Sequence, residues 1–321
     1  MRPIMKQRFQ IVFKYSYLSY LYIMPSWSNI LNQVQALSNE GAELNKIRGT
    51  YLSQISSITS RNVISYYSCW LKTPGAPNSS VSDQDMNAFM NAVHGLDKSK
   101  GLDLLLHTPG GDLAATESII NYLRTIFSND IRAIIPQISM SAGTIIALSC
   151  KEIIMGKQSS LGPIDPQLGG VACQSVLEEF STAVQEVTAN PASAALWQVI
   201  FSKYTPTFIT ACKKSIEWSE KLMVDYIQSI YGASFNMKPV KDIFLNNNNS
   251  YSHARHISKE ACKSAGLNIV DLENNQDLQE AVLSLHHTYM ILFDKFSISK
   301  VVENQAGGCY VQQFDPKQLI H

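Results

Sequence analysis

Residues 102–137 constrain the fold more than any other stretch. "LDLLLHT" is a short apolar run bounded by Gly101 and by Pro109-Gly110-Gly111, so it reads as a strand buried on both faces. "DLAATESIINYLRTIF" follows with apolar residues at three- and four-residue steps, the period of a helix that buries one face. Asp112 stands at its start as a cap. "IRAIIPQ" is a second apolar, β-branched run. Strand, helix and strand in so short a span indicate two parallel strands joined by a helical crossover.

The same grammar extends in both directions. Upstream, "NVISYYSCWL" (62–71) is β-branched and aromatic, hence a strand, and Ser82 is placed to cap a helix over "DQDMNAFMNAVHGL". Downstream, "SMSAGTIIALSC" reads as a turn into a helix and "EIIMGK" as a further strand. The expected class is α/β, a parallel sheet flanked by helices. Residues 172–233 read as helical with breaks near Pro191 and Pro206. "LNNNNSYSH" is a polar loop, and Ser258 caps a short helix that Gly266 ends. "LNIVDL" is a strand, and "QDLQEAVLSLHHTYMILFDKF" is a helix with a strong apolar face. The expected division is an N-terminal extension at 1–23 with Met24 as the natural start, a helical lead-in at 24–57, an α/β core at 58–275, and a C-terminal helix and tail at 276–321.

Composition excludes several functions. Lys+Arg and Asp+Glu both number 26, so no polybasic footprint points to nucleic acid or anionic lipid. The basic and apolar start is interrupted by Lys14, diluted by serines and tyrosines, and too polar to span a membrane. The six cysteines are scattered, with no C-x-x-C pair and no zinc spacing, which suits free buried thiols in a reducing cytoplasm. Neither H-E-x-x-H nor a Walker A loop occurs. The adjacent His286 and His287 cannot both grip a metal from one helix face. No cofactor or metal is expected.

Two strand-to-helix turns carry the candidate chemistry. In parallel α/β sheets ligands bind outside the carboxyl ends of the strands. Both Pro109-Gly110-Gly111 and Ser141-Ala142-Gly143 fall at such ends. The Ser141 hydroxyl stands where a helix begins, with small residues beside it; this is the place of an ordinary N-cap and also of a nucleophile. Paired with it, the N–H groups of Gly111 and Ala142 could form an oxyanion hole, with Gly110 permitting the turn. His107 ends the strand before the glycines, within reach of the site. Asp165, in "GPIDPQ", orders the loop between a strand and a helix.

"HTPGGD", "SMSAGT", "SSLGPIDPQLGG" and "ISKEACKSAGLNIVDL", in that order, resemble the Clp protease/crotonase superfold, and in particular its signal-peptide-peptidase-A-like branch. Segments 61–71, 106–112 and 283–289 are similar to those of the serine dehydrogenase proteinases. The resemblance covers roughly residues 24 to 293. It implies a repeated β-β-α superhelix, serine peptidase activity on a peptide or protein substrate, a supporting place for His107 behind the site, and assembly into a homo-oligomer.

The proton acceptor departs from the Clp pattern. There a histidine follows the nucleophile by about two dozen residues, and here that place holds Asp165. In the signal-peptide-peptidase-like branch the base is a lysine, which burial can make basic enough by disfavouring its charged form. Lys151 and Lys157 are too near Ser141. Lys203, in "WQVIFSKYTPTFITACKK", is the first choice and Lys213 the second; both can equally be surface residues. Two other functions remain open at this point: a crotonase-like acyl-CoA enzyme, and a catalytically idle oligomeric scaffold.

Overall fold

The computed structural model describes residues 30–31, 40–245 and 255–319. The expected N-terminal extension, the start at Met24 and most of the polar loop at 245–253 lie outside the described residues.

Helix α1 (Glu40–Thr59) leads into strand β1 (Asn62–Ser68). Helix α2 (Asp85–Val93), strand β2 (Leu102–His107), helix α3 (Leu113–Phe127) and strand β3 (Ile131–Ile135) follow. The two-residue strand β4 (Ile138–Ser139) then precedes helix α4 (Ala142–Leu148) and strand β5 (Glu152–Met155). A segment read from sequence as loop contains strand β6 (Ser160–Leu161) and the hairpin of β7 (Gln167–Leu168) with β8 (Val171–Ala172). Helices α5 (Cys173–Ala189), α6 (Ala194–Phe201), α7 (Phe208–Tyr231) and α8 (Met237–Phe244) come next. Strand β9 (Ile257–Ser258), helix α9 (Lys259–Ser264), strand β10 (Ile269–Asp271), helix α10 (Gln276–Lys295), strand β11 (Ile298–Asn304) and strand β12 (Cys309–Gln313) follow.

The main sheet runs in the order β10-β5-β3-β2-β1-β11-β12. From β10 to β1 every pair is parallel, while β11 and β12 are antiparallel additions. The pleat sends alternate residues to opposite faces. Leu102, Leu104 and Leu106 of β2 join one core with α2, α3, α4 and α7, whereas Leu105 joins a second core with α1 and α10. All residues of β1 and β2 are therefore buried, as a sheet covered on both faces requires. The observed class is a mixed α/β fold with a mostly parallel central sheet.

The caps follow their residue types. Asp112 accepts the Ala115 N–H at 2.8 Å, and Ser258 accepts the Ala261 N–H at 3.3 Å. Two local readings are corrected. Helix α2 starts at Asp85, because the Asp85 carboxylate accepts the Ser82 N–H at 2.9 Å and holds residues 82–84 as a turn. Residues 298–313 form sheet strands and not a tail, their charged members being buried with partners. Lys300 is fully buried against Asp85, and Glu303 pairs with Arg48 at 2.6 Å.

Among the described residues no helix is long and apolar enough to cross a membrane. All six cysteines are free; five are buried and Cys309 is exposed.

Candidate active site

The strand ends of β2 and β4 build one face of a cleft of about 890 Å³. Thr108 bridges to Ser139, and Met140 donates its N–H to the Thr108 carbonyl at 3.0 Å. This pairing brings the two glycine-bearing turns into contact. Gly110 has φ +91°, and a Cβ there would lie 2.7 Å from the Met140 carbonyl, 2.8 Å from Ala142 N and 2.8 Å from Ser141 Cβ. Only glycine meets both conditions.

Gly111 faces a different neighbour. Val81 donates its N–H to the Gly110 carbonyl at 2.7 Å, and the Asp112 N–H donates to the Val81 carbonyl at 2.9 Å. A Cβ on Gly111 would overlap the Val81 backbone. The bridge uses the Gly110 carbonyl and the Asp112 N–H, so it leaves the Gly111 N–H unused. Gly111 and Ala142 both line the cleft. Ala142 is the first residue of α4, where an N–H has no partner within the helix.

Ser141 occupies the position just before α4, yet its side chain makes no capping hydrogen bond. Its backbone sits at φ 50°, ψ −114°, a conformation costly for any residue with a Cβ. Such strain persists only where the surroundings over-determine it. Here Gly143 donates to the Met140 carbonyl at 2.8 Å and Thr144 to the Ser141 carbonyl at 2.9 Å. The Thr144 hydroxyl also lies 3.0 Å from the Ser139 carbonyl and accepts the Gly162 N–H at 3.0 Å. A half-buried hydroxyl with no capping duty is thus held at the cleft.

The chain belongs to the ClpP-like SDH-type serine proteinase family. A family model of that description matches residues 12–290, and the strained serine beside a Gly-Gly turn lies within the match. The chain is also similar to two proteins of Methanocaldococcus jannaschii. It is 29% identical to the uncharacterized protein MJ0137 over 209 residues, 65% of each chain. It is 30% identical to the uncharacterized protein MJ1495 over 152 residues, 47% of each chain. The chain thus spans about two thirds and about half of the lengths of these relatives.

Within this family member the other expected site residues divide. Asp165 is buried and lines the cleft. His107 is fully buried behind the glycine turn, packed on Tyr67, Trp70 and His286 at ring separations of 5.4, 6.1 and 5.2 Å. Burial holds its pKa down at about 3, only partly opposed by the nearby Ile138 backbone. His107 thus packs as a neutral ring behind the turn and does not line the cleft. Lys203 is exposed in the turn after α6, and Lys213 is exposed on α7; neither lines the cleft.

The structure adds residues that sequence reasoning passed over. Trp70, Leu71 and Ser80 line the cleft, as do Ser215, Trp218 and Ser219 of α7. His256 also lines the cleft, with Nδ1 3.0 Å from the Ser160 hydroxyl. Its only sequence signal was its place just before "ISKEA", the segment that enters β9.

Proposed function

We propose that this chain is a serine peptidase that hydrolyses peptide bonds through an acyl-enzyme on Ser141. The observation that carries the reading is the strained, uncapped Ser141 packed against the Gly110-Gly111 turn in one cleft. The Ser141 oxygen attacks the scissile carbonyl. The N–H groups of Gly111 and Ala142 hold the oxyanion, each such donor being worth about 3 kcal/mol in comparable sites. Collapse expels the amine and leaves an ester on Ser141, which water then hydrolyses. The cleft wall offers Leu71, Leu113, Ile145, Ile164, Leu168 and Trp218, which suits an apolar side chain beside the scissile bond.

The proton acceptor proposed from sequence is Lys203, with Lys213 second. Since both are exposed and away from the cleft lining, either must be delivered by movement of the α5–α7 helices or by a second copy in a homo-oligomer. A second reading is favoured by His256 and Asp165, which share the cleft with Ser141. In it a histidine of the 253–256 segment takes the serine proton and Asp165 supports the resulting charge. His253 lies outside the described residues and is tested beside His256.

The idle-scaffold alternative gains from the exposure of Lys203 and loses from the strain at Ser141, which a scaffold has no reason to retain. The acyl-CoA alternative finds no glutamate among the described residues that line the cleft. Incubation of the protein with a diverse peptide library, followed by mass spectrometry of new termini, tests the reading. Cleavage by wild type that is lost in Ser141→Ala is expected; identical products from both proteins would refute it.

A further inference from the structure

The Gly110–Asp112 loop is held from its outer side by a short segment, residues 79–82, that carries no motif of its own. Val81 in that segment makes both backbone hydrogen bonds to the loop. The residues on either side of Val81 are fastened in turn, Ser79 and Ser80 to the sheet and Ser82 to the start of α2. The Ser68 hydroxyl donates to the Ser79 carbonyl at 2.5 Å. The Lys300 ammonium donates to the Ser80 carbonyl at 2.8 Å. The Asp85 carboxylate accepts the Ser82 N–H at 2.9 Å.

Lys300 and Asp85 are themselves an ion pair with both side chains fully buried. The ammonium lies 2.7 Å and 2.8 Å from the two carboxylate oxygens, and the Tyr66 hydroxyl donates to Oδ2 at 2.9 Å. A buried pair of this kind is a poor source of stability, because desolvation offsets the attraction. Its third bond, to the Ser80 carbonyl, reaches a residue that lines the cleft.

We propose that Lys300 and Asp85 are positioning residues for the reaction: their buried pair clamps residues 80–82, and Val81 in turn sets the Gly110–Asp112 loop against Ser141. The clamp touches neither substrate nor the reacting atoms. It acts through two relays, the Val81 N–H to Gly110 and the Val81 carbonyl to Asp112, which bracket the N–H group assigned to the oxyanion. The proposal rests on the Ser141 reading for its consequence, but not for the clamp itself.

The test uses the full chain in two forms, wild type and Asp85→Asn/Lys300→Met, which leaves no charge buried without its partner. Two quantities are read: hydrogen exchange of the Val81 and Asp112 amides, and the rate of Ser141 labelling by a fluorophosphonate. In the folded double variant both amides are expected to exchange at least about tenfold faster and labelling to slow at least about tenfold, since a misplacement near 1 Å suffices for such a loss. Unchanged exchange overturns the clamp. Faster exchange with unchanged labelling overturns its positioning role. Should the double variant fail to fold, Tyr66→Phe, which removes one hydrogen bond to the Asp85 carboxylate and leaves the two charges paired, is read by the same criteria at a twofold threshold. A wild type that is never labelled refutes the Ser141 reading, and amide exchange alone then decides the clamp.

Discussion

The Val81 backbone lies directly against the α-carbon of Gly111, so that a side chain at this position has nowhere to go. From sequence alone, substitution of Gly111 is expected to harm catalysis more than folding. The contact with Val81 changes that expectation. Gly111→Ala must displace either the loop or residues 80–82, and overpacking of this kind costs about 1–3 kcal/mol. A lowered melting temperature together with loss of serine labelling is expected; an unshifted melting curve would show that the loop yields freely.

Strain at Ser141 makes the opposite forecast. Glycine adopts φ 50° without penalty, while a residue with a Cβ pays on the order of 1–3 kcal/mol. Ser141→Gly is therefore expected to raise stability by about 1 kcal/mol in chemical denaturation while abolishing labelling. An unchanged or reduced stability would mean that the backbone here is not strained.

Burial of His107 makes the fold sensitive to acid. Its pKa is about 3 in the folded chain and near 6.5 when unfolded. The folded state thus binds the proton less well, and stability falls as pH drops below 6.5 toward 3. At about 1.4 kcal/mol for each pKa unit, the full loss is roughly 5 kcal/mol. Burial lowers the pKa of His286 too, and the effect adds in the same direction. His107→Phe is expected to flatten the pH dependence of unfolding between 6.5 and 3, measured by urea titration. An unaltered slope would place the acid sensitivity elsewhere.

Much of the core was legible because its residues obey local rules. Helix α3 begins and ends where its apolar period and Asp112 cap place it, and β2, β3 and β5 are apolar runs between turn residues. The breaks near Pro191 and Pro206 fall between helices for the same reason. What sequence could not show depends on distant partners. Lys300 reads as a solvated charge until Asp85, far away in the chain, is seen beside it. Strands β4, β6 and β9 have two residues each, too few for any period, and exist because Ile138, Ser160 and Ser258 are brought side by side. The Ser141 turn was visible through its small residues. The range of proton acceptors to choose between was not, because His256 comes to line the cleft beside the pairing of β9 with β6.

That choice is settled by single substitutions compared under one assay. Removing a general base costs about 10²- to 10⁴-fold. If the cleft histidine reading is right, His256→Ala or His253→Ala falls in that range, while Lys203→Ala and Lys213→Ala stay within a factor of two. A loss of that size in Lys203→Ala, and none in either histidine variant, would restore the lysine and require its delivery from outside the cleft.

The most direct test of the central claim is labelling of the intact protein with a fluorophosphonate probe, followed by mapping of the modified residue by mass spectrometry. The expected result is one stoichiometric adduct on Ser141 that is absent from Ser141→Ala. An adduct that persists in Ser141→Ala, or a folded wild type that takes up no probe, would contradict the assignment of Ser141 as the nucleophile.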